Sequence, residues 1–341
     1  MRIDRHRFPG AKFLGCLALA AALLWGVPQA EAYRFVVYAD SPALDPQWPN
    51  KTFNDDVLGY INAQITQLQP KPDFVVFMGD LVTRGVYPQG NSTLQGWKTF
   101  MRNTLKADGV PIKLYVVPGN RDLYGPQGWP AEPSLQKVYQ EVFSDMPSNG
   151  PPGYDKLAYW FEFGEGLEKS FFIAVDAFGF KSSGTTVVNW DNGLDQAQLV
   201  WLKNQAEAHQ RSYHKFAFSH GPAFSTGGWP IDPSVQQSMW RILETTGFDF
   251  FFGGHEHLYS RGNNLNPVQR RVFQVINGSA GAKLTASAQV KVDWNQWHIY
   301  LNDNFSVVDV NGSNIHQEAF AVIKEKGGYT VKSIDNVYIS K

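Results

Sequence analysis

The sequence predicts an α/β fold in which two β-sheets form a sandwich flanked by helices. Three features point to it. From residue 34 onward, short apolar runs alternate with amphipathic stretches at the spacing of βαβ units, which favours parallel pairing. After residue 158 two strand-like runs follow one another across a glycine-containing turn. The final 70 or so residues hold strand-like runs and no convincing helix, as expected of a β-rich part that completes the second sheet.

Residues 1–32 stand apart from this pattern. Arg2, Arg5, Arg7 and Lys12 lead into the apolar stretch FLGCLALAAALLWGV, and Ala30-Glu31-Ala32 is a small-x-small cleavage signal, so the segment reads as a secretory signal peptide. The apolar run has about 15 residues, short of the ~20 that a spanning helix needs. Cys16 precedes most of that run, whereas a lipid-attached cysteine would follow it, so cleavage after Ala32 is expected, with export to the periplasm or medium. The mature chain then has no cysteine and no disulfide.

Residues 33–341 read as a single domain. RFVVYAD (34–40) is a buried strand, and TFNDDVLGYINAQITQL (52–68) a helix with Val57, Ile61, Ile65 and Leu68 on one face. FVVFMGD (74–80), the helix TLQGWKTFMRNTLKA (93–107) and the strand IKLYVVPGN (112–120) continue the alternation. YWFEF (159–163) and SFFIAVDAF (170–178) are the adjacent strands. They precede the helix LDQAQLVWLKNQAEAH (194–209), the strand KFAFSH (215–220), the helix SVQQSMWRILETTG (234–247) and the strand FDFFFGGHEH (248–257). RRVFQVI (270–276), FSVVDV (305–310), AFAVIKEK (319–326) and YTVKSI (329–334) make up the β-rich tail.

With 43% hydrophobic and 18% charged residues the chain can bury a large core. Residues 1–32 hold four of the 30 Lys/Arg and two of the 31 Asp/Glu; without them 26 basic and 29 acidic residues remain, a formal charge of −3. That balance argues against a dedicated nucleic-acid binder, whose footprint is basic. After cleavage no membrane association is expected.

Five strands end in polar residues: at Asp40, at Gly79-Asp80, at Gly119-Asn120, at Ser219-His220 and at Gly253-Gly254-His255-Glu256-His257. The carboxyl ends of parallel strands line the ligand crevice of an open α/β sheet, so these side chains should converge. Two carboxylates, an amide oxygen and three imidazoles are hard or borderline donors that suit Zn, Fe, Mn or Ni. His255 and His257 would share a face of a regular strand, but a turn after two glycines can aim them at neighbouring ions.

These motifs, namely Asp40, GD at 79–80, GN.D at 119–122, the histidine of SHGP at 220 and GHEH at 254–257, resemble in order and spacing those of the calcineurin-like metallophosphoesterases. LDQAQLVWL before the His220 strand adds to the likeness, and GHEHLYSR (254–261) looks most like the secreted branch that includes relatives of the purple acid phosphatases. The resemblance implies a site for one or two Mn, Zn or Fe ions, with Asp80 bridging, Asp40 and His257 on the first ion, and Asn120, His220 and His255 on the second. It also implies hydrolysis of a small phosphorylated substrate, a mono- or diester, by a metal-activated hydroxide.

Two positions depart from that pattern. The family begins Asp-x-His, and here Asp40-Ser41-Pro42 lacks the imidazole; purple acid phosphatases instead place a tyrosine three residues after the bridging aspartate, where this chain has Thr83. Asp45 and Tyr87 are nearby substitutes, and the first ion is expected to be the weaker. Arg121 stands in place of the histidine of Gly-Asn-His. A guanidinium does not deprotonate, so Arg121 is expected to grip phosphate oxygens with its rigid fork rather than to transfer a proton. Asp122 is expected to orient this catalytic loop. The rival to an enzyme is a phosphoesterase-fold binding protein with reduced or lost turnover.

His209, His214, His298 and His316 carry no motif. Trp229, Trp240, Trp294 and Trp297 read as packing residues, with Trp229, in the GGWP loop after His220, within reach of a substrate cleft. Glycosylation sequons occur at Asn50 and Asn277.

Overall fold

The computed structural model describes residues 32–43, 51–85, 93–125, 128–131, 133–165, 169–183, 186–189, 192–263, 272–285 and 298–341. The predicted signal segment up to residue 31, Asn50, Asp45, Tyr87, Trp294 and Trp297 lie outside them. Among the described residues no helix is long and apolar enough to cross a membrane.

In chain order the main elements are β1 (Tyr33–Tyr38), α1 (Asp55–Gln67), β2 (Phe74–Met78), α2 (Thr93–Thr104), β3 (Lys113–Val117) and α3 (Pro133–Val142). β4 (Tyr159–Phe163), β5 (Ser170–Ala174), α4 (Gln196–Ala208), β6 (Lys215–Phe218), α5 (Trp240–Thr246) and β7 (Phe250–Gly253) follow. β8 (Tyr259–Asn263), β9 (Phe273–Asn277), β10 (His298–Tyr300), β11 (Asp303–Asn311), β12 (Asn314–Glu325) and β13 (Gly328–Ser340) complete the chain.

The first sheet has the order β13-β12-β11-β1-β2-β3 and the second β10-β8-β9-β7-β6-β5-β4. β1, β2 and β3 are parallel to one another, and so are β5, β6, β7 and β9. β2, β5, β6 and β7 are buried along their whole length. That is why they read as continuous apolar runs rather than alternating ones: both faces of a parallel strand are covered. Between the sheets, Phe35 of β1 meets Phe172 of β5 and Phe216 of β6 edge-on, with centroids 5.5 and 5.1 Å apart. Aromatic edge-to-face contacts of this kind fix the spacing of the two sheets. On the outer face of the first sheet α1 buries Val57, Leu58, Ile61 and Ile65, and Asn54 caps it by accepting the Val57 N–H.

The tail does not join the second sheet as a block. β8, β9 and β10 do, but β11 pairs antiparallel with β1, and β12 and β13 extend the first sheet from it. Apolar runs cannot show which edge a strand will choose, because that depends on a partner hundreds of residues away. The predicted helix 234–247 divides into a π-helical stretch, Ser234–Met239, and α5, which Gly247 ends with a left-handed φ of 79°. Asn277 is fully buried, its amide donating to Asn304 and Ser306, so that sequon is closed to a glycan.

Candidate metal centre

The polar residues that end β1, β2, β3, β6 and β7 meet at one edge of the sandwich. Their backbone is bent to allow it. Asp40, Asp80 and His255 have φ of 61°, 49° and 70°, a left-handed conformation that non-glycine residues adopt at a cost and that turns each side chain off its strand axis. Two glycines permit the close approach of these turns. A Cβ on Gly79 would lie 2.7 Å from His220 Nδ1, and one on Gly254 would lie 2.5 Å from Asp40 Oδ2.

Around Asn120, the side-chain oxygen lies 3.2 Å from both His220 Nε2 and His255 Nδ1. Its amide nitrogen donates to the Tyr124 hydroxyl at 2.8 Å, which leaves the oxygen turned toward the imidazoles. His220 Nε2 is also 3.3 Å from Asp80 Oδ1. The second cluster joins Asp40, Asp80 and His257, whose donor atoms lie within 4.8 Å of one another, with His257 Nε2 3.5 Å from Asp40 Oδ1. His255 and His257 thus diverge, one toward Asn120 and the other toward Asp40, as the turn after the glycines requires.

The outer nitrogens are anchored. His220 Nδ1 lies 2.7 Å from the Met78 carbonyl and His257 Nδ1 2.6 Å from that of Lys283. Each imidazole therefore donates to a carbonyl with Nδ1 and turns Nε2 inward, the arrangement that orients a metal-ligating histidine. Burial pushes the His255 imidazole down, helped by the neighbouring His220, to about 3, so His255 is neutral. Burial opposes charge on His220 as well, but Asp80 and Asp40 beside it raise it to about 9. Burial would raise Asp80, yet His220 and Arg121 hold it well below the usual carboxylate range.

Asp40 gives the clearest sign that the cluster is built for a cation. Its Oδ2 accepts the His255 N–H at 2.9 Å, while its Oδ1 is buried and has no hydrogen-bond partner. A buried carboxylate oxygen without a hydrogen bond is costly, and a cation among the N and O donors here would satisfy it. The residues present fit a metal site.

Arg121 donates its backbone N–H to Asp80 Oδ1 at 2.9 Å and sets Nε 3.3 Å from Asp80 Oδ2, with the side chain 26% exposed at the mouth of the site. Asp122 is fully buried, its two oxygens accepting the N–H groups of Leu81 and Gly119 at 2.9 and 2.8 Å. It clasps the turns after β2 and β3 together and is closed to solvent. At the departures from the pattern, Pro42 offers no donor, and the Thr83 hydroxyl donates to the Thr52 carbonyl at 2.9 Å instead of facing the site. The Asp40 cluster has three donor residues among the described ones, and the Asn120 cluster has four.

Sequence reasoning passed over Tyr124, the carbonyls of Met78 and Lys283, and Glu256. Glu256 lies between His255 and His257, fully buried, and accepts from the Ser225 hydroxyl, from Thr226 N and Oγ1 at 2.8 and 2.9 Å, and from Gly227 N at 2.7 Å. Only its neighbours in GHEH hinted at it; the carbonyls leave no trace in a sequence.

The profile of the calcineurin-like phosphoesterases matches residues 34–259, and the chain belongs to that family. Its fold is similar to that of the purple acid phosphatase PPD1 from yellow lupin seeds, with a TM-score of 0.59 and 15% identity over 92% of this chain. The chain spans 54% of the lupin enzyme. It is similar also to GAP50, described as the anchor in the inner membrane complex of Plasmodium, with a TM-score of 0.59 and 14% identity over 91% of this chain and 89% of that one. PhoD gives a TM-score of 0.59 at 13% identity, covering 92% of this chain and 70% of its own. No curated protein shares detectable similarity with the chain.

Proposed function

We propose that this chain is an exported metal-dependent phosphoesterase that hydrolyses a phosphate mono- or diester, and that Asp40, Asp80, Asn120, His220, His255 and His257 hold its metal. The observation that carries the proposal is the buried Asp40 Oδ1, which has no hydrogen bond and faces His257 and His220 where five strand ends meet. Export rests on residues 1–32, with their basic lead, apolar run and Ala30-Glu31-Ala32 signal.

Bound there, one or two ions of Mn, Zn or Fe would neutralise charge on the phosphoryl oxygens and supply a water acidic enough to attack phosphorus at neutral pH. The chain's own residues do the rest. Arg121 presents a fixed cation at the mouth of the site, where its free guanidinium nitrogens can take phosphoryl oxygens. Asp122 holds the loop that carries Asn120 and Arg121. His255, kept neutral by burial, offers a lone pair without first losing a proton. Asn120, His220, His255 and Asp80, four donors, would hold the tighter ion.

A binding protein is the second reading. It is favoured by the Arg121 side chain lying against Asp80, and by Pro42 in place of a donor. GAP50, described as an anchor, shows that the fold is found in a protein so described.

Elemental analysis of the mature protein, paired with hydrolysis of an activated aryl phosphate in Mn, Zn or Fe, tests the choice. We expect tight binding of one ion, weaker binding of another, and turnover. His220→Ala and His255→Ala should each lose metal and activity together, whereas His214→Ala should lose neither, since His214 is engaged with the Gly312 carbonyl 2.9 Å away. Full metal content with no turnover would select the binding protein, and full metal content in His220→Ala would remove the ligand set.

A further inference from the structure

Trp229 is an unusual surface residue. Its indole is 53% exposed, yet it lies against the half-buried His255 of the site, ring centroid 5.4 Å from ring centroid at an interplanar angle of 57°. A single exposed ring is ordinary on a protein surface, but this one stands against a candidate metal ligand, where its exposed face borders whatever the site binds.

The loop that carries the indole is fixed. Ser225, Thr226 and Gly227 direct their hydroxyl and N–H groups onto the Glu256 carboxylate, and Gly228 N–H donates to Ser225 Oγ at 2.8 Å. Glu256 is held in turn between the two histidines that point to Asn120 and Asp40. Trp229 is thus tied through a buried carboxylate to the turn that aims the candidate ligands. A surface pre-organised in this way loses little entropy when it is covered.

We propose that Trp229 is the stacking surface for the ester group of the substrate, and that this group is a flat aromatic ring, aryl or heteroaryl, carried on the phosphate. The inference rests on the proposed phosphoesterase reading. The chemistry at the site mouth divides accordingly: Arg121 offers a fork of N–H donors for the phosphoryl oxygens, and Trp229 offers a π-face for what is attached to them. A planar ring stacks on indole in an offset or edge-on manner with a gain beyond burial of its area, which a saturated ring of the same size does not share.

The test is calorimetric titration of the manganese-loaded protein with three phosphonates that cannot be hydrolysed at the P–C bond: methyl, cyclohexyl and phenyl. Phenylphosphonate should bind about tenfold more tightly than the methyl compound, a factor in keeping with stacking, and more tightly than the cyclohexyl one. Trp229→Ala should erase that preference and Trp229→Phe should keep most of it; an exposed position makes loss of the fold in either variant a minor concern, and a melting curve checks it. Equal binding of all three compounds would overturn the role of Trp229 while leaving the phosphoesterase standing. Cyclohexyl binding as tight as phenyl would overturn the aromatic class. If no phosphonate bound at all, the phosphoesterase reading would fail and this inference with it.

Discussion

Arg121 decides how a leaving group can depart from the proposed site. Its backbone N–H and its Nε both face Asp80, so the guanidinium is held where an imidazole would otherwise stand ready to protonate the departing oxygen. A guanidinium keeps its protons, and the leaving group must depart as an anion. A positioned acid contributes about 10² to 10⁴-fold to such a step. Hydrolysis should therefore be fast for aryl esters, whose leaving groups are acidic, and slow for simple alkyl phosphates. Arg121→Ala should weaken both, and Arg121→His should restore the alkyl esters selectively. A series of esters spanning leaving-group acidity, assayed with the native protein and both variants, reads this directly; a flat dependence in the native protein would show that another group supplies the proton. The residue types at the site were legible in the sequence because each stands where an apolar run stops. What holds them was not: the Met78 and Lys283 carbonyls are backbone atoms that any residue would provide, and Glu256 acts on a loop some 30 residues away.

Strands bring the site together, and side chains between strands hold the two sheets in place. β8 in the second sheet presents Tyr259 and Arg261 to Asp335 of β13 in the first. Asp335 Oδ2 accepts from the Tyr259 hydroxyl at 2.9 Å and from Arg261 Nε at 2.6 Å, while Oδ1 takes Arg261 Nη2 at 2.8 Å. All three residues are buried. Removing one partner of a buried ion pair leaves the other charge uncompensated, so Asp335→Ala should destabilise the fold by about 3 kcal/mol. Chemical denaturation measures this, and a change under about 1 kcal/mol would mean that water reaches Arg261 and replaces the pair. The parallel strands β2, β5, β6 and β7 were legible because their burial on both faces demands apolar runs. β8 was not, since YSRGN is polar in sequence and owes its complete burial to the ion pair and to pairing with β9 and β10. The edge chosen by β11 was hidden for a related reason: its register with β1 is a long-range fact.

The folded molecule as a whole, free of metal, should be most stable on the acid side of neutrality. Asp176, just past β5, is fully buried; its backbone exchanges hydrogen bonds with the Gln198 side chain of α4, and its Oδ1 accepts the Phe178 N–H, but its Oδ2 has no partner. Burial pushes this carboxyl up to about 7. Asp303 is likewise pushed up by burial, to about 6. A carboxyl whose folded pKa lies above its unfolded value near 3.9 holds its proton longer in the folded state. Between those values the unfolded chain binds fewer protons, so stability falls as pH rises from about 4 to about 7. Asp335 and Asp145 act in the opposite sense, held below the usual range by Arg261 and Lys98 against their burial, so the stability they add is lost only as pH falls below about 4. Metal binding would add a slope of its own, because ligands must shed protons and a bound ion stabilises only the folded chain. Melting temperatures taken from pH 4 to 8 in chelator remove the metal's slope, and comparison with Asp176→Asn separates the Asp176 contribution from that of the site histidines, His255 depressed and His220 raised. They should decline from about pH 5 toward 7, and Asp176→Asn, which has no proton to lose there, should show a shallower decline whatever its stability at a single pH. Parallel declines in the native protein and the variant would mean that water reaches Oδ2 and that Asp176 is charged throughout.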